Sequence, residues 1–458
     1  MPGTNAPPET MRRFFLRGAT RTYQFRRQQL IALRNAIKKY ERHIESALYA
    51  DLKKNPEEVY ATETGLVVAE LNVALKNLRR WMRPRRVPTN LVNFPSSSKI
   101  IPEPLGVVLI ISPWNFPFQL ALIPMIGAIA GGNCVLLKPS ELSPATSDLL
   151  ERMVQDIFPS DYVQVMQGDG AEIIPSLMKS FRFDHVFFTG GTEVGKKIYS
   201  MAARDLIPVT LELGGKSPAI VEADANLEVA ARRIALGKFV NAGQTCVAPD
   251  YVLADMRIMN SFLERLRVTI LQFFEGDAKN SYSYGRIINE SRFDHLVRLL
   301  GDGKIILGGG YDRAALFIEP TVVTDLTPSS LLMQEEIFGP ILPVIGFSSR
   351  DEALDLIQRN DRPLSFYVFT SNGATEKYWI DSVSFGGGCV NNACWQFANH
   401  HLPFGGVGNS GLGAYHGKFT FDTFVHRKAV MKTATWFDPP LKYPPFRGKL
   451  RWFKKLIR

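Results

Sequence analysis

Three side chains in this 458-residue chain have types and neighbours suited to chemistry at a carbonyl carbon. Cys246 ends the run Asn241-Ala242-Gly243-Gln244-Thr245-Cys246. Its small and polar residues suit a turn that exposes a thiol, whereas a lone cysteine is otherwise a small buried hydrophobe. Glu212 stands between Leu211 and Leu213 and is followed by Gly214 and Gly215. Burial there would raise its pKa and make it a base usable near neutral pH; the bland alternatives are a partner for Lys216 or a surface acid. Asn115 lies in Ser112-Pro113-Trp114-Asn115-Phe116-Pro117 directly after an apolar run. Two prolines constrain that loop, so its carboxamide is either a pre-oriented oxyanion donor or a helix cap.

Two further segments suit a nucleotide. Phe188-Thr189-Gly190-Gly191-Thr192-Glu193-Val194-Gly195 leads from a strand pattern into a helix pattern. Glycines there let the backbone approach a pyrophosphate, although the spacing is neither a Walker loop nor G-x-G-x-x-G. Lys138-Pro139-Ser140-Glu141 follows another strand pattern and offers a ribose two hydrogen-bonding groups, unless it is a solvated turn.

These groups need a scaffold, and the periodicity describes one. Apolar runs at Val107–Ser112, Cys134–Leu137, Val163–Met166, His185–Phe188 and Val209–Leu213 read as strands. Helix patterns at Phe118–Ala130, Pro144–Ile157 (N-cap Ser143) and Glu193–Ala203 separate them. Such alternation predicts a parallel, doubly wound sheet that binds ligands beyond the carboxyl ends of its strands. A second β–α series follows Gly215, with strands at Ala219–Glu222 and Tyr251–Ala254 and helices at Leu227–Asn241 and Met259–Phe274. Before the first sheet, Thr22–Lys54 reads as one long amphipathic stretch, a helix is expected from Thr62 to about Met82, and residues 83–98 read as a connector.

The length exceeds what one hydrophobic core usually serves, so two domains are expected. With 45% hydrophobic and 21% charged residues, a disordered or fibrous chain is excluded. Four cysteines exclude a disulfide framework and suit a reducing compartment. The net charge of +10 is carried by the ends: residues 1–40 hold nine Lys/Arg against one acid, residues 441–458 seven against none. No zinc-finger or RNP signature accompanies it, so no nucleic-acid partner is expected. The polar start Met1–Thr10 has no apolar signal core, and no run is long enough to span a bilayer.

Taken in order, seven motifs resemble the aldehyde dehydrogenases over about residues 15–430. They are Pro113-Trp114-Asn115-Phe116-Pro117, Lys138-Pro139-Ser140-Glu141, Phe188-Thr189-Gly190, Leu211-Glu212-Leu213-Gly214-Gly215-Lys216, Gly243-Gln244-Thr245-Cys246, Glu335-Glu336-Ile337-Phe338-Gly339-Pro340 and Pro403-Phe404-Gly405-Gly406. Leu402–Gly411, Tyr415-His416-Gly417-Lys418 and Lys442-Tyr443-Pro444-Pro445 are similar to the class-3 branch, which includes the fatty aldehyde enzymes.

The resemblance implies an α/β fold with a Rossmann-type doubly wound cofactor domain, an α/β catalytic domain and a small β oligomerisation element. The implied divisions are residues 1–82 and 99–213 for NAD(P), 214–390 for catalysis, 83–98 and 391–430 for bridging, and 431–458 as a basic tail. It implies Cys246 as nucleophile, Glu212 as base and Asn115 as oxyanion donor. The implied cofactor set is Trp114, Lys138, Glu141, Gly190, Gly191, Thr192, Gly195, Glu336 and Phe338. Lys138 and Glu141 would face the adenosine ribose, Glu336 the nicotinamide ribose, and Phe338 the nicotinamide. Gly191 departs from the serine expected there. The implied reaction is NAD- or NADP-dependent oxidation of medium- or long-chain aliphatic or aromatic aldehydes, through a thiohemiacetal and a thioester.

A CoA-acylating enzyme, a thiol hydrolase without nicotinamide and a non-catalytic scaffold are the competing readings. A homodimer in the cytoplasm is expected. The tail Lys449–Arg458 suits docking to an anionic membrane surface or packing on a neighbouring subunit. Trp395 and Phe397 are expected along an apolar aldehyde tunnel. Cys389 and Cys394, near His400 and His401, fit no standard zinc spacing, so no metal is expected.

Overall fold

The computed structural model describes residues 7–457; Met1–Ala6, at the polar start, and Arg458, of the basic tail, lie outside the described residues. Apolar β-rich runs punctuated by glycine form the first sheet. Its order is Gly411–Leu412, Val209–Glu212, His185–Thr189, Val107–Ile111, Cys134–Lys138, Val163–Val165. All neighbours are parallel except Gly411–Leu412, which returns from far along the chain and pairs antiparallel with Leu211 and Glu212. The central strands are buried throughout, as helix-covered parallel strands must be.

Register fixes where the loops emerge. Ile111 pairs with Lys138 and Phe188, and Thr189 pairs with Glu212. The loops bearing Asn115, Lys138–Glu141, Gly190–Gly195 and Glu212 therefore leave one edge of the sheet, at its carboxyl ends.

The second sheet has seven strands in the order Lys304–Leu307, Thr321–Thr324, Ile341–Phe347, Tyr251–Asp255, Pro218–Val221, Ser365–Phe369, Gly387–Val390. Only Lys304–Leu307 is antiparallel to its neighbour. A third, antiparallel sheet joins Arg85–Val87, Ser96–Pro104 and Val425–Thr433.

Local differences from the sequence expectations have physical causes. The stretch from Thr22 breaks into Tyr23–Lys39 and Glu41–Leu52 at Tyr40, whose hydroxyl donates to Asp156 over 2.5 Å. The next helix begins at Pro56 instead of Thr62, because Asn55 caps it by accepting from the Glu58 N–H at 2.8 Å. It runs through a wide π-turn at Tyr60–Thr64 before continuing as Gly65–Trp81. Ser143 makes no side-chain cap; Asp51 does that work from another helix, accepting from the N–H groups of Ala145 and Thr146 at 3.1 and 2.8 Å. Residues 83–98 supply one strand and the start of another that continues to Pro104.

Candidate active site

Two cavities meet at one wall. The first, about 790 Å3, is almost wholly apolar and takes in Phe116, Trp395, Phe397 and Phe404. The second, about 880 Å3, is more polar and takes in Trp114, Asn115, Gly190, Arg292 and Glu336. Cys246 and Glu212 line both, together with Leu120, Thr189 and Leu213.

The loop that presents Cys246 turns sharply. Asn241, Ala242 and Gly243 all have positive φ, at 53, 51 and 76°. A Cβ on Gly243 would lie 2.2 Å from the Gly339 carbonyl oxygen, so the chain passes where only glycine fits. Gln244, fully buried, ties the loop down. Its amide donates to the carbonyls of Asn241 and Arg286 at 3.0 and 2.9 Å, and its Oε1 accepts from the Ile288 N–H at 3.0 Å.

Asn115 is stitched to that loop. Its Nδ2 donates to the Gln244 carbonyl at 3.0 Å, while Asn241 Nδ2 donates to the Asn115 carbonyl at 2.8 Å. Beneath it lies a fully buried ion pair: Lys54 Nζ is 2.7 Å from Glu63 Oε1 and also donates to the Asn115 carbonyl at 3.0 Å. Glu63 in turn accepts from the Gln119 N–H at 2.8 Å. Sequence reasoning missed Lys54 and Glu63, because nothing local links them to Asn115.

Glu212 ends its strand buried, and neither carboxylate oxygen has a hydrogen-bond partner among the described residues. Burial alone pushes its pKa well above the usual carboxylate range. The expected alternatives for it are absent: Lys216 pairs with Asp250 at 2.5 Å. Burial, reinforced by the Glu336 and Glu212 carboxyls, pushes the Cys246 thiol up as well. Burial raises Glu336 to about 8, against a backbone hydrogen bond from Gly215.

The nucleotide-side residues divide into two groups. Trp114, Gly190, Gly191, Glu336 and Phe338 line the polar cavity, with the Trp114 and Phe338 rings edge-to-face at 5.4 Å. Lys138 and Glu141 pair at 2.8 Å at the end of their strand, and Thr192 and Gly195 open the helix Thr192–Arg204; none of these four lines that cavity. A Cβ on Gly190 would fall 2.6 Å from the Phe188 ring and one on Gly195 2.6 Å from Leu213, whereas Gly191 has open space around it. Sterics therefore do not explain glycine in place of serine at 191.

This wall suits a nicotinamide nucleotide. Gly190 and Gly191, which line it, lead into the N-terminus of the helix Thr192–Arg204. Gly214 lets the Glu336 carboxylate come within 2.0 Å of where a Cβ would stand, and Arg292 keeps its Nε unpartnered among the described residues. Arg292 is a further cavity residue with no motif around it to announce it.

Trp395 and Phe397 stack at 5.9 Å on the wall of the apolar cavity. The cysteines nearby go separate ways: Cys389 Sγ donates to Gln396 Oε1 at 3.2 Å, and Cys394 Sγ to the Val247 carbonyl at 3.2 Å. Among the described residues no group of three His, Cys, Asp or Glu is arranged to hold a metal.

Cys246, partly exposed, thus stands between an apolar cavity and a more polar one on a scaffold of two α/β sheets. The aldehyde dehydrogenase family model matches residues 10–430, and the chain belongs to that family. It is an NAD(P)-dependent oxidoreductase acting on aldehydes, and the non-catalytic alternative falls. It is 44% identical over 447 residues to a 4,4'-diaponeurosporen-aldehyde dehydrogenase of Staphylococcus aureus, covering 97% of each chain. It is 43% identical to the mouse "aldehyde dehydrogenase, dimeric NADP-preferring", covering 95% of this chain and 96% of that one. The solved "substrate bound state of Staphylococcus Aureus AldH" superposes with a TM-score of 0.96 at 43% identity, covering 98% of both chains.

Proposed function

We propose that Cys246, Glu212 and Asn115 carry the oxidation of medium- or long-chain aliphatic or aromatic aldehydes to carboxylic acids. The observation that carries this reading is the shared wall: Cys246 and Glu212 face both the apolar and the nucleotide-side cavity. The Cys246 thiolate adds to the aldehyde carbon to form a thiohemiacetal. Asn115 spends one amide N–H on Gln244, leaving the second for the oxyanion beside the Cys246 backbone N–H. When bound, the nicotinamide supplies the hydride acceptor that leaves a thioester on Cys246. Glu212, with both oxygens free, takes a proton from water, hydroxide attacks the thioester, and the acid departs as Cys246 leaves as thiolate. That hydrolytic base disfavours the CoA-acylating alternative.

Trp114, Gly190, Gly191, Glu336 and Phe338 hold the nicotinamide end in this reading. Lys138, Glu141, Thr192 and Gly195 serve the adenosine and pyrophosphate end. The division is residues 1–82 and 99–213 for cofactor, 214–390 for catalysis, 83–98 and 391–430 for bridging, and 431–458 as tail.

The test is reduced-nicotinamide absorbance with NAD and NADP in parallel over straight-chain and aromatic aldehydes. Cofactor reduction that disappears in Cys246→Ala supports the assignment; turnover surviving in that variant removes it.

Assembly as a homodimer is supported by the open strand Val425–Thr433, by exposed Leu91 and Trp436, and by the mouse relative's printed name. Peripheral membrane contact at a cytoplasmic surface is supported by the helix Leu450–Leu456. That helix exposes Leu450 and Trp452 among lysines and arginines, while no helix of the described residues is long and apolar enough to cross a membrane. Deleting residues 446–458 should abolish sedimentation with anionic vesicles, and unchanged sedimentation rejects the contact.

A further inference from the structure

The helix Gly65–Trp81 buries one stripe, Val67, Glu70, Leu71, Ala74, Leu78 and Trp81, and Glu70 is its only charged member. Burial lifts that carboxyl to about 7, so the acid sits there at a cost the helix itself does not require. Its Oε1 accepts from the Gly417 N–H at 2.7 Å and from the Thr420 hydroxyl at 3.2 Å, both far along the chain.

The receiving turn has no local means of fastening itself. Gly417 opens the short helix Lys418–Thr423 with φ at 56°, and a Cβ there would lie 2.2 Å from the His400 carbonyl oxygen. A serine, threonine or aspartate is thereby shut out at the cap, and the turn is fastened from another helix instead. His416, one residue before, also has positive φ, at 78°. Such a residue keeps that conformation only when its surroundings enforce it. Upstream, Phe404 and Tyr415 exchange backbone hydrogen bonds of 3.0 and 2.8 Å. Downstream, Trp81 packs on Phe421 at 5.5 Å. Glu70 is the clamp between these two anchors.

The turn carries part of the aldehyde side. Tyr415 and His416 line the apolar cavity with Cys246 and Glu212, and neither lines the polar cavity. Their rings pack on each other at 4.3 Å and on Phe404 at 5.6 and 5.4 Å. A shift at Gly417 is therefore passed to the aldehyde's surroundings and not to the nucleotide's.

We propose that Glu70 is a positioning residue for the oxidation. It lines neither cavity, and acts by holding Tyr415 and His416 in place around the cavity that Cys246 and Glu212 face. This role rests on Cys246 being the nucleophile.

The experiment measures kcat and KM for decanal, Kd for NAD and NADP by fluorescence titration, and melting temperature, in the full chain and in Glu70→Leu, Glu70→Asp and Glu70→Gln. Leucine removes the acceptor and aspartate withdraws it by one methylene. Each should lower kcat/KM roughly ten- to a hundredfold, as a small misplacement does, while cofactor Kd stays at the parental value. Glutamine returns an acceptor oxygen and should recover most of that loss. Parental kcat/KM in Glu70→Leu overturns the proposal, as does a matching loss of cofactor affinity, which marks general loosening. If Glu70→Leu does not fold, the other two variants decide: aspartate at the parental kcat/KM, or glutamine no better than aspartate, overturns it. Turnover that survives Cys246→Ala is a different result, since it removes the nucleophile reading and the positioning role with it.

Discussion

The Asn115 side chain reaches the backbone of the thiol loop itself, donating from Nδ2 to the Gln244 carbonyl over 3.0 Å. One hydrogen bond thus sets the donor's orientation relative to Cys246, two residues further on. Asn115→Ala should lower kcat by roughly 10²–10³-fold, the usual cost of one oxyanion donor. The fold should survive, because Asn241 Nδ2 still serves the Gln244 carbonyl at 3.1 Å. Steady-state kinetics on a variant with parental melting behaviour checks this; a loss under threefold would remove Asn115 from the reaction.

Cys246 and Glu212 both hold their protons more tightly than in water, the thiol partly because of the carboxyls beside it. Deprotonated forms are the reactive ones, so thiol alkylation and kcat/KM should both climb from neutral towards alkaline pH. Glu212→Gln takes away one neighbouring carboxyl and should move the thiol pKa down, making iodoacetamide labelling at neutral pH faster. Slower labelling would mean that Glu212 removes the thiol proton directly. The same variant should accumulate an acyl-enzyme visible by mass spectrometry.

At Gly214, a Cβ would stand 2.0 Å from Glu336 Oε2. The obstructing atom is the end of a flexible side chain, so Gly214→Ala should fold and displace the carboxylate. Loss of one hydrogen bond to a ribose is worth about 0.5–1.5 kcal/mol, or roughly two- to tenfold in cofactor Kd. Fluorescence titration with NAD and NADP measures it; an unchanged Kd would count against Glu336 as a ribose ligand.

Lys54 and Glu63 are both wholly buried. Lys54→Met leaves the Glu63 carboxylate without its cation and should cost about 3–5 kcal/mol by denaturant unfolding. Lys54→Met combined with Glu63→Gln should recover much of that loss, since the glutamine carbonyl can still accept from the Gln119 N–H. Equal losses in the single and double variants would show that packing, not charge, holds the site.

What the sequence discloses is local, and what it hides is long-range. The helix Pro144–Ile157 is legible to the residue, because proline opens it and apolar spacing runs through it. Its cap is not legible, since Asp51 comes from a separate helix. Asn55-Pro56-Glu57-Glu58 carries a readable helix start, six residues ahead of the Thr62 start expected above. Cys246, Glu212 and Asn115 stand out because each breaks its local pattern: polar turn residues, an acid between leucines, an amide between prolines. Lys54, Glu63, Asn241 and Arg292 break no pattern. Their importance comes from which loops the sheet edges bring together.

The short strand Gly411–Leu412 closes the edge of the first sheet beside Glu212, and Tyr415 just beyond it lines the apolar cavity. During synthesis, Cys246 and Glu212 therefore emerge long before their enclosure does. A ribosome-bound chain that has not yet released residue 415 holds a thiol without its finished pocket. The pocket is finished only once residues 411–415 have joined the sheet edge laid down about two hundred residues earlier.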